Sequence, residues 1–444
     1  MPAVLFPRKF SLGQLCFFAA LFALPWACRA FISLTENRYP RIHLLLLILL
    51  LTHLPGFYAT VDNRLSLEKF LQNLAGIAIL SGLLHRSFSV TVLKRLLFLF
   101  LCGCSALALL LPLITQWEWS AKLLQIPGLS LLSSFRWKLA EDVNPNIFGG
   151  LMTLVLPVAL GLRLAGVGDL FPRFRWTPRV LDFSLLVITI MFVLSQARGG
   201  ILGVGIALLF MAYCWGKKFR WWIAGGLYGV LAAILWLGPG SLKYLLGGSG
   251  VVASWDVRVE LWSRALYMIQ DFPFTGVGIG LYGRVANILY PFFLISPDEV
   301  MGHAHQMLLQ IAVDLGIPGL VAYSALLGAA FSIVPFSKTV VENSSRRVWL
   351  GLVGGLIAML LHGMLDCPLW SSKLAPVPWI IMAFLFALAG KEGESGLKRW
   401  EIFCWWVLIS LLAIAQIGDR PLLGLLIAIL GGAGLGVLTQ RIKA

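Results

Sequence analysis

Arginine and histidine side chains at three places in this sequence could bind an anion and accept a proton. Arg198 lies between two apolar segments, in the run Ser-Gln-Ala-Arg-Gly-Gly at residues 195–200. A cation at the edge of hydrocarbon costs on the order of 1–3 kcal/mol unless it reaches headgroups or pairs with an anion. This position therefore favours a clamp for a phosphate or carboxylate, with a snorkelling interfacial arginine as the alternative.

Arg258 and Arg264 lie on a predicted amphipathic helix that runs from about residue 256 to residue 271. A helix turns about 600° over six residues, so the two guanidinium groups diverge by about 120°. They are therefore not expected to address one ligand unless the length of their side chains compensates. Glu260 precedes Arg264 by four residues, which favours an ion pair as the alternative role for Arg264.

His305 follows His303 and precedes Gln306, at the start of a long apolar segment. A neutral imidazole could accept a proton from a hydroxyl group, as a general base does, and a hydrogen-bonded structural histidine is the alternative. The two histidines have no evident cysteine or carboxylate partner, so we expect no metal site. Asp366 follows His362 by four residues and could either hydrogen-bond to it in a helix cap or orient a catalytic site.

The elements that must hold these residues are transmembrane helices. Of the 444 residues, 59% are apolar and only 12% are charged, and the mean hydropathy is +0.87. A water-soluble domain could not bury so much apolar surface, so lipid must surround most of the chain. The abundance of Leu, Ala, Gly and Phe favours helices over barrel strands. The predicted fold class is all-α, a polytopic integral membrane protein.

Thirteen apolar segments have about the length needed to cross some 30 Å of hydrocarbon. They lie near residues 11–28, 42–58, 67–84, 96–116, 147–165, 180–196, 199–215, 221–238, 306–336, 348–365, 374–390, 401–416 and 421–438. If residues 11–34 form a hairpin that re-enters the cytoplasm, twelve crossings remain and both termini are cytoplasmic. We therefore expect about 12 transmembrane helices, with 13 as the alternative.

The net charge of +15 would suggest nucleic-acid binding in a soluble protein, but its distribution argues against that. The basic clusters fall between alternate apolar segments, which is the positive-inside pattern of a membrane protein. By this rule the long segment between the two halves of the chain faces outward. We expect no nucleic-acid partner.

The chain is predicted to form one integrated membrane domain with three parts. An N-terminal transmembrane bundle spans residues 1–238, a large outward-facing loop spans 239–304, and a C-terminal bundle spans 305–444. The loop contains the predicted helix and then Gly276-x-Gly278-x-Gly280. No βαβ unit surrounds this glycine run, so we interpret it as a tight turn that lets backbones pack closely.

A set of ordered motifs resembles a known family. His305-Gln306 is followed by nine residues and then Gly316-Ile317-Pro318-Gly319, and this fits the pattern of His, then Asn, Ser or Gln, nine residues and Gly-x-x-Gly. Supporting motifs are Asn-Pro-Asn at 144–146, Ser-Gln-Ala-Arg-Gly at 195–199, and Arg258-x-x-x-Trp262 before the glycine run. In these motifs the chain resembles the bacterial O-antigen ligase and O-antigen polymerase superfamily.

The resemblance implies a metal-independent, inverting membrane glycosyltransferase without a cofactor. It implies that Arg198 and Arg258 hold the diphosphate of an undecaprenyl diphosphate-linked glycan and that His305 is catalytic, with Arg264, Gln306 and Asp366 as possible supporting residues. The acceptor would be lipid A-core or another glycan or lipid. Membrane lipids would surround the protein, and its active site would lie at the outer face of the cytoplasmic (inner) membrane.

Three alternatives to a ligase are compatible with the sequence. A polymerase of the same superfamily would elongate the lipid-linked glycan itself. A secondary transporter of a small anion would also have many helices and intramembrane cations, although no inverted repeat is evident. A scaffolding membrane protein would tolerate alanine at Arg198, Arg258 and His305.

Overall fold

The computed structural model describes most of the chain as a bundle of helices. It describes residues 10–21, 39–110, 145–215, 249–295, 301–333, 343–389 except 368 and 371, and 396–440, with the single residues 221, 225 and 232. Within these ranges the residues form helices, turns and loops and no β-strand. The predicted all-α class is confirmed.

Fifteen helices are described, and their bounds are as follows. They are α1 (Leu12–Leu21), α2 (Pro40–Leu51), α3 (His53–Ala59), α4 (Asn63–Leu84), α5 (Val90–Leu110), α6 (Pro145–Ala165), α7 (Thr177–Ser195), α8 (Arg198–Trp215), α9 (Ser249–Asp271), α10 (Tyr282–Leu289), α11 (Met307–Ser332), α12 (Asn343–Gly363), α13 (Pro376–Ala389), α14 (Arg399–Ile417) and α15 (Pro421–Thr439).

Ten stretches among the described residues are long and apolar enough to cross a membrane, with α2 and α3 forming one of them. The helices α1 and α13 are apolar but shorter. Twelve of the thirteen predicted segments therefore coincide with a described helix. The predicted segment 221–238 lies almost entirely outside the described residues, as does most of the predicted hairpin at 11–34.

The predicted loop helix is present as α9 and ends at Asp271, but it begins at Ser249, several residues before the predicted start. The loop also contains α10, a short helix that the hydropathy pattern did not indicate. Residues 239–248 and 296–300 of the loop lie outside the described part. The helix α6 begins at Pro145, two residues before the predicted segment 147–165, and Asn144 lies outside the described residues.

The helix α11 lies at the centre of the bundle and is almost completely buried. It packs along α15, where a Cβ added to Gly436 would lie 1.8 Å from the Ala325 carbonyl oxygen. The helices α6 and α12 cross equally closely, because a Cβ on Gly161 would lie 2.5 Å from the Gly351 Cα atom. Small residues bring membrane helices to backbone contact in this way.

Different kinds of residues surround the two ends of α12. Near its start, Arg347 donates to the Leu164 carbonyl at 2.7 Å, and Lys94 donates to the Ala165 carbonyl at 3.3 Å. Beyond its last residue, Gly363, the chain turns to Asp366. A helix of this length is about 30 Å long. The basic residues that the charge rule assigns to the cytoplasm are therefore well separated from the Asp366 end of the bundle.

Candidate functional site

The centre of the candidate site is a contact between His305 and Asp366. The Nδ1 atom of His305 lies 3.1 Å from the Asp366 Oδ1 atom, and the same oxygen accepts the backbone N–H of Cys367 at 2.8 Å. The carboxylate side chain is 8% exposed and the imidazole 28% exposed, so the pair is buried on one side and open on the other. His305 has a φ of +50°, a conformation that non-glycine residues adopt at a cost and that often marks a functional constraint.

His303 lies beside this pair. Its ring centroid is 4.2 Å from that of His305, and its Nε2 atom is 4.0 Å from the Asp366 Oδ1 atom. The backbone N–H of His305 points to the His303 Nδ1 atom at 3.3 Å, which assigns Nδ1 as the acceptor and Nε2 as the protonated nitrogen of His303. An ionised carboxylate only accepts, so His305 donates from Nδ1 and its Nε2 atom is the basic nitrogen.

The charge states of the two side chains follow from their surroundings. Burial by itself raises the pKa of Asp366, but the hydrogen bond from His305 and the charges of the neighbouring histidines outweigh this and hold the pKa below its ordinary value. Burial lowers the pKa of His303 to about 4, with His305 and Lys69 lowering it and Asp366 opposing them. At neutral pH the site therefore holds an ionised carboxylate and a neutral His303.

Asp366 has a partner that spacing along its own helix did not indicate. His362, the neighbour that the spacing suggested, acts electrostatically on the Asp366 carboxylate, and His305 from another part of the chain contacts that carboxylate as well. Asp366 lies in the turn that follows the end of α12 at Gly363. Its backbone N–H still donates to the His362 carbonyl at 3.0 Å, which closes that turn.

Arg198 is placed next to this turn at the first residue of α8. A Cβ added to the following residue, Gly199, would lie 3.1 Å from His362 and 3.3 Å from Leu365. Gln196, two residues before Arg198, ends α7 in the left-handed conformation, which turns the chain sharply into α8. The glycine and the sharp turn together place the start of α8, with the exposed residue Arg198, beside the turn that carries Asp366.

Arg258 on α9 belongs to the same cluster of charges. Its side chain is half-buried, and burial lowers its pKa, while Asp366 opposes this shift and Arg198 adds to it. Arg258 therefore lies close enough to both Arg198 and Asp366 to feel their charges, although the three residues come from separate parts of the chain. Two cations held close together, one of them half-buried, repel each other, and an anion between them relieves that repulsion.

Arg264 has a different environment from Arg258. Its guanidinium lies 3.5 Å from the Glu260 carboxylate and 5.1 Å from the centroid of the Phe293 ring. Glu260 also accepts the backbone N–H groups of Phe293 and Leu294. The expected i, i+4 ion pair is present, and it fixes the aromatic segment that follows α10.

Gln306 caps the helix that follows His305. Its side-chain oxygen accepts the backbone N–H of Leu309 at 2.5 Å, and its amide nitrogen lies 3.6 Å from the Met364 sulfur. A Cβ added to Gly363 would also lie 3.1 Å from the Met307 Cβ atom. The start of α11 and the end of α12 are therefore in direct contact, which brings His305 to Asp366.

The two glycine motifs of the sequence dock on each other. Gly316 interrupts α11 with a φ of +69°, and a Cβ there would lie 2.6 Å from the Phe274 carbonyl oxygen. A Cβ on Gly276, whose φ is +63°, would lie 2.5 Å from the Val313 carbonyl oxygen. The backbone N–H of Val277 donates to that same carbonyl at 2.8 Å. The interpretation of the glycine run as a tight turn for close backbone packing is confirmed.

Sequence reasoning missed two charged residues near the site. Asp314 is fully buried in α11, two residues before Gly316. Lys69 on α4 lays its side chain across the glycine turn, because a Cβ on Gly280 would lie 2.7 Å from the Lys69 Cγ atom. A carboxylate within an apolar run was the available indication for Asp314, since such residues are rare and usually functional. Lys69 lies near the start of the predicted segment 67–84, where a lysine that reaches the interface is ordinary, so the residue attracted no functional interpretation.

The geometry also overturns the reason given for excluding a metal. His303 and His305 do have a carboxylate partner, since Asp366 lies beside both of them, and donor atoms of the three residues all lie within 4.8 Å of one another. Imidazole and carboxylate ligands could hold a divalent transition metal. A metal there would occupy the nitrogen that donates to Asp366 and would replace the hydrogen bond of the pair.

Comparison with known protein families matches one segment of this chain. Residues 183–324 match the family model described as O-antigen ligase, which is about a third of the chain. This segment is similar to the O-antigen ligases. It contains Arg198, Arg258 and His305 and ends before Asp366. A search of curated proteins found no match.

The match confirms the resemblance to the O-antigen ligase superfamily that the motifs predicted. It supports the activity of a membrane glycosyltransferase of the ligase and polymerase type, for which the substrates are a lipid-linked glycan and a glycan acceptor. The apolar helices and this similarity together indicate a membrane protein.

Proposed function

We propose that this chain transfers an oligo- or polysaccharide from undecaprenyl diphosphate to an acceptor, such as lipid A-core, on the outer face of the cytoplasmic membrane. The observation that carries the proposal is the convergence of two arginines and a histidine–carboxylate pair from four separate elements. Similarity to the O-antigen ligases over the segment that holds three of these residues supports it.

Arg198 and Arg258 are assigned to the diphosphate of the donor. Guanidinium groups pair with phosphate oxygens through two parallel hydrogen bonds, and partial desolvation strengthens that attraction. The same two cations stabilise the negative charge that develops when the bond between the anomeric carbon and the phosphate oxygen breaks. They thus make undecaprenyl diphosphate a better leaving group without requiring a cation from solution.

His305 is assigned as the general base. The acceptor hydroxyl attacks the anomeric carbon, a new carbon–oxygen bond forms, and the hydroxyl proton passes to the His305 Nε2 atom. The ionised Asp366 holds the other ring nitrogen and stabilises the imidazolium that results. Attack opposite the leaving phosphate inverts the configuration at the anomeric carbon.

The site end of the bundle is assigned to the outer face. The basic residues Lys94 and Arg347 lie at the other end of α12, and the positive-inside rule places that end in the cytoplasm. A donor whose lipid lies in the outer leaflet would then present its diphosphate at the level of Arg198.

The test uses the purified chain in lipid nanodiscs, with undecaprenyl diphosphate-linked glycan extracted from native membranes as donor. We expect His305→Ala to abolish transfer to lipid A-core while leaving binding of undecaprenyl diphosphate intact, as measured by native mass spectrometry. We expect Arg258→Ala to weaken that binding by about 10–100-fold, the equivalent of a charged hydrogen-bonded contact.

His85→Ala is the matched control, because His85 is exposed at the C-terminal cap of α4 and should leave both measurements unchanged. Undiminished transfer by His305→Ala would contradict the proposed mechanism. Products that grow as a ladder on the lipid-linked donor itself would assign the chain to polymerase-type elongation.

A further inference from the structure

A fully buried carboxylate lies at the centre of the segments that form the site. The Oδ1 atom of Asp314 accepts the Gln310 side-chain amide at 2.8 Å and the backbone N–H of Gly280 at 3.1 Å. Its Oδ2 atom accepts the Trp370 indole N–H at 2.8 Å. A carboxylate buried in a helical bundle is costly unless such donors surround it, so these three hydrogen bonds are needed to retain it.

The first of these bonds leads to His305. The Gln310 side-chain oxygen accepts the backbone N–H of Ala304 at 2.8 Å, and Ala304, fully buried, is the residue before His305. An amide side chain has one accepting and one donating end. Because Asp314 requires the donating end of Gln310, the accepting end must face Ala304. Asp314 thus fixes the orientation of Gln310, which in turn holds the chain where His305 adopts its left-handed φ.

The second bond leads to Asp366. Trp370 lies four residues after Asp366 and is 4% exposed. Its ring also packs edge-on against Tyr323 of α11, with the centroids 5.4 Å apart. The indole is therefore held in one position, and the hydrogen bond to Asp314 ties the segment that carries Asp366 to α11.

The third bond leads to the glycine turn of the outer loop. The Gly280 backbone N–H donates to the same Asp314 oxygen that Gln310 uses. This joins the end of the loop that follows α9, the helix of Arg258, to the same carboxylate. One side chain therefore connects the histidine, the carboxylate and the arginine segments of the site.

We propose that Asp314 is the positioning residue that keeps His305 and Asp366 in register for proton transfer. This inference rests on the proposed glycosyl transfer. Asp314 touches none of the reacting atoms and acts through Gln310 and Trp370. Its loss should therefore lower the rate of the chemical step and leave the affinity for the donor unchanged.

The test is a double-mutant cycle with Asp314→Asn and Trp370→Phe. In Asp314→Asn, the asparagine oxygen can keep the hydrogen bonds from Gln310 and Gly280. Its amide nitrogen then faces the indole N–H of Trp370, so two hydrogen-bond donors oppose each other. Trp370→Phe removes the second donor and relieves that opposition. We expect Asp314→Asn to lower kcat by about 10–100-fold with KM for the donor unchanged, and the double variant to recover about tenfold of the loss.

The matched control is Tyr39→Phe. The Tyr39 hydroxyl donates to the Phe386 carbonyl at 2.7 Å, so this variant also loses a buried hydrogen bond, but in another part of the bundle. It should lower the unfolding temperature to a similar extent and leave kcat unchanged. If Asp314→Asn does not fold, Gln310→Met tests the branch to Ala304 and should lower kcat with KM unchanged.

The outcomes separate this inference from the proposed function. Full activity of Asp314→Asn, a change in KM equal to the change in kcat, or additive losses in the double variant would each overturn the role of Asp314 while His305→Ala remains inactive. Undiminished transfer by His305→Ala would overturn the proposed function, and the role of Asp314 would be lost with it.

Discussion

Replacing Asp366 with asparagine removes one negative charge from the His305 imidazole and leaves the size of the side chain unchanged. The Asp366 Oδ1 atom lies 3.1 Å from the His305 Nδ1 atom, which puts the charge centres of the ring and the carboxylate about 5 Å apart. At an effective dielectric constant of about 20, unit charges at that distance attract each other by about 3 kcal/mol. This energy becomes available only as His305 takes up the proton.

Proton transfer is incomplete in the transition state, so between half and all of this attraction should lower the activation barrier. That contribution is about 1.5–3 kcal/mol. Each 1.36 kcal/mol is a factor of ten, so Asp366→Asn should lower kcat by about 10–100-fold. The assay is the initial rate of glycan transfer in nanodiscs, measured against donor concentration. The KM for the donor should change little, because Asp366 is not assigned to the diphosphate.

Two comparisons decide whether this reasoning holds. Any residual transfer that His305→Ala retains on long incubation should not fall further when Asp366→Asn is added, because the two residues act as one unit. Asp182→Asn is the control, since Asp182 pairs with Arg163 on the surface, where such pairs contribute little, and its variant should keep full activity. An active Asp366→Asn, or losses that add in the double variant, would refute the role of Asp366 as the partner of the base.

Three further predictions concern stability, pH and metal. Gly316→Ala should lower the free energy of unfolding by about 2–5 kcal/mol, because the new side chain is strained at the positive φ and clashes with the Phe274 carbonyl. Gly205→Ala, whose new Cβ would meet no neighbour, should leave that free energy unchanged. Thermal unfolding followed by tryptophan fluorescence measures both variants. The fold lowers the pKa of His303 from 6.5 to about 4, so the unfolded state binds more protons between these values and stability should fall as pH falls through them. The unfolding temperature of His303→Gln should fall less over that window, and an identical fall would contradict the assignment. Glycan transfer should survive dialysis against a chelator. Added Zn²⁺ should inhibit transfer, because it would compete with protons for the nitrogens of His303 and His305. Loss of activity on chelation that added metal restores would show that a metal takes part.

The helices could be predicted from the sequence because the bilayer imposes a single requirement on each of them. A segment that crosses hydrocarbon must be apolar over about 20 residues whatever its neighbours are, so local hydropathy is sufficient. Residues outside the bilayer escape this requirement. The short helix α10 and the early start of α9 were accordingly missed, since neither contains a long apolar run.

The candidate site could be predicted only where a local motif marks it. Arg198 and His305 lie at the ends of apolar segments, where such side chains are unusual, and Arg258 lies on the amphipathic loop helix. The family resemblance of the runs that contain them implied their roles. The pairing of His305 with Asp366 was not predictable, because it depends on where α12 ends and on how α12 meets α11. Spacing along one helix could indicate only the neighbour on that helix, His362.

The distribution of charge within the site explains why the carboxylate does not cancel the arginines. If Asp366 paired directly with Arg258, both would be neutralised, and neither the diphosphate nor the imidazolium would gain a partner. Instead, the Asp366 Oδ1 atom is occupied by the Cys367 backbone N–H and by His305, and it acts on Arg258 only at longer range. Arg258 therefore remains available to the leaving group while the carboxylate serves the base. Transfer from a diphosphate to a hydroxyl requires this division, because negative charge develops on the phosphate as positive charge develops on the imidazole.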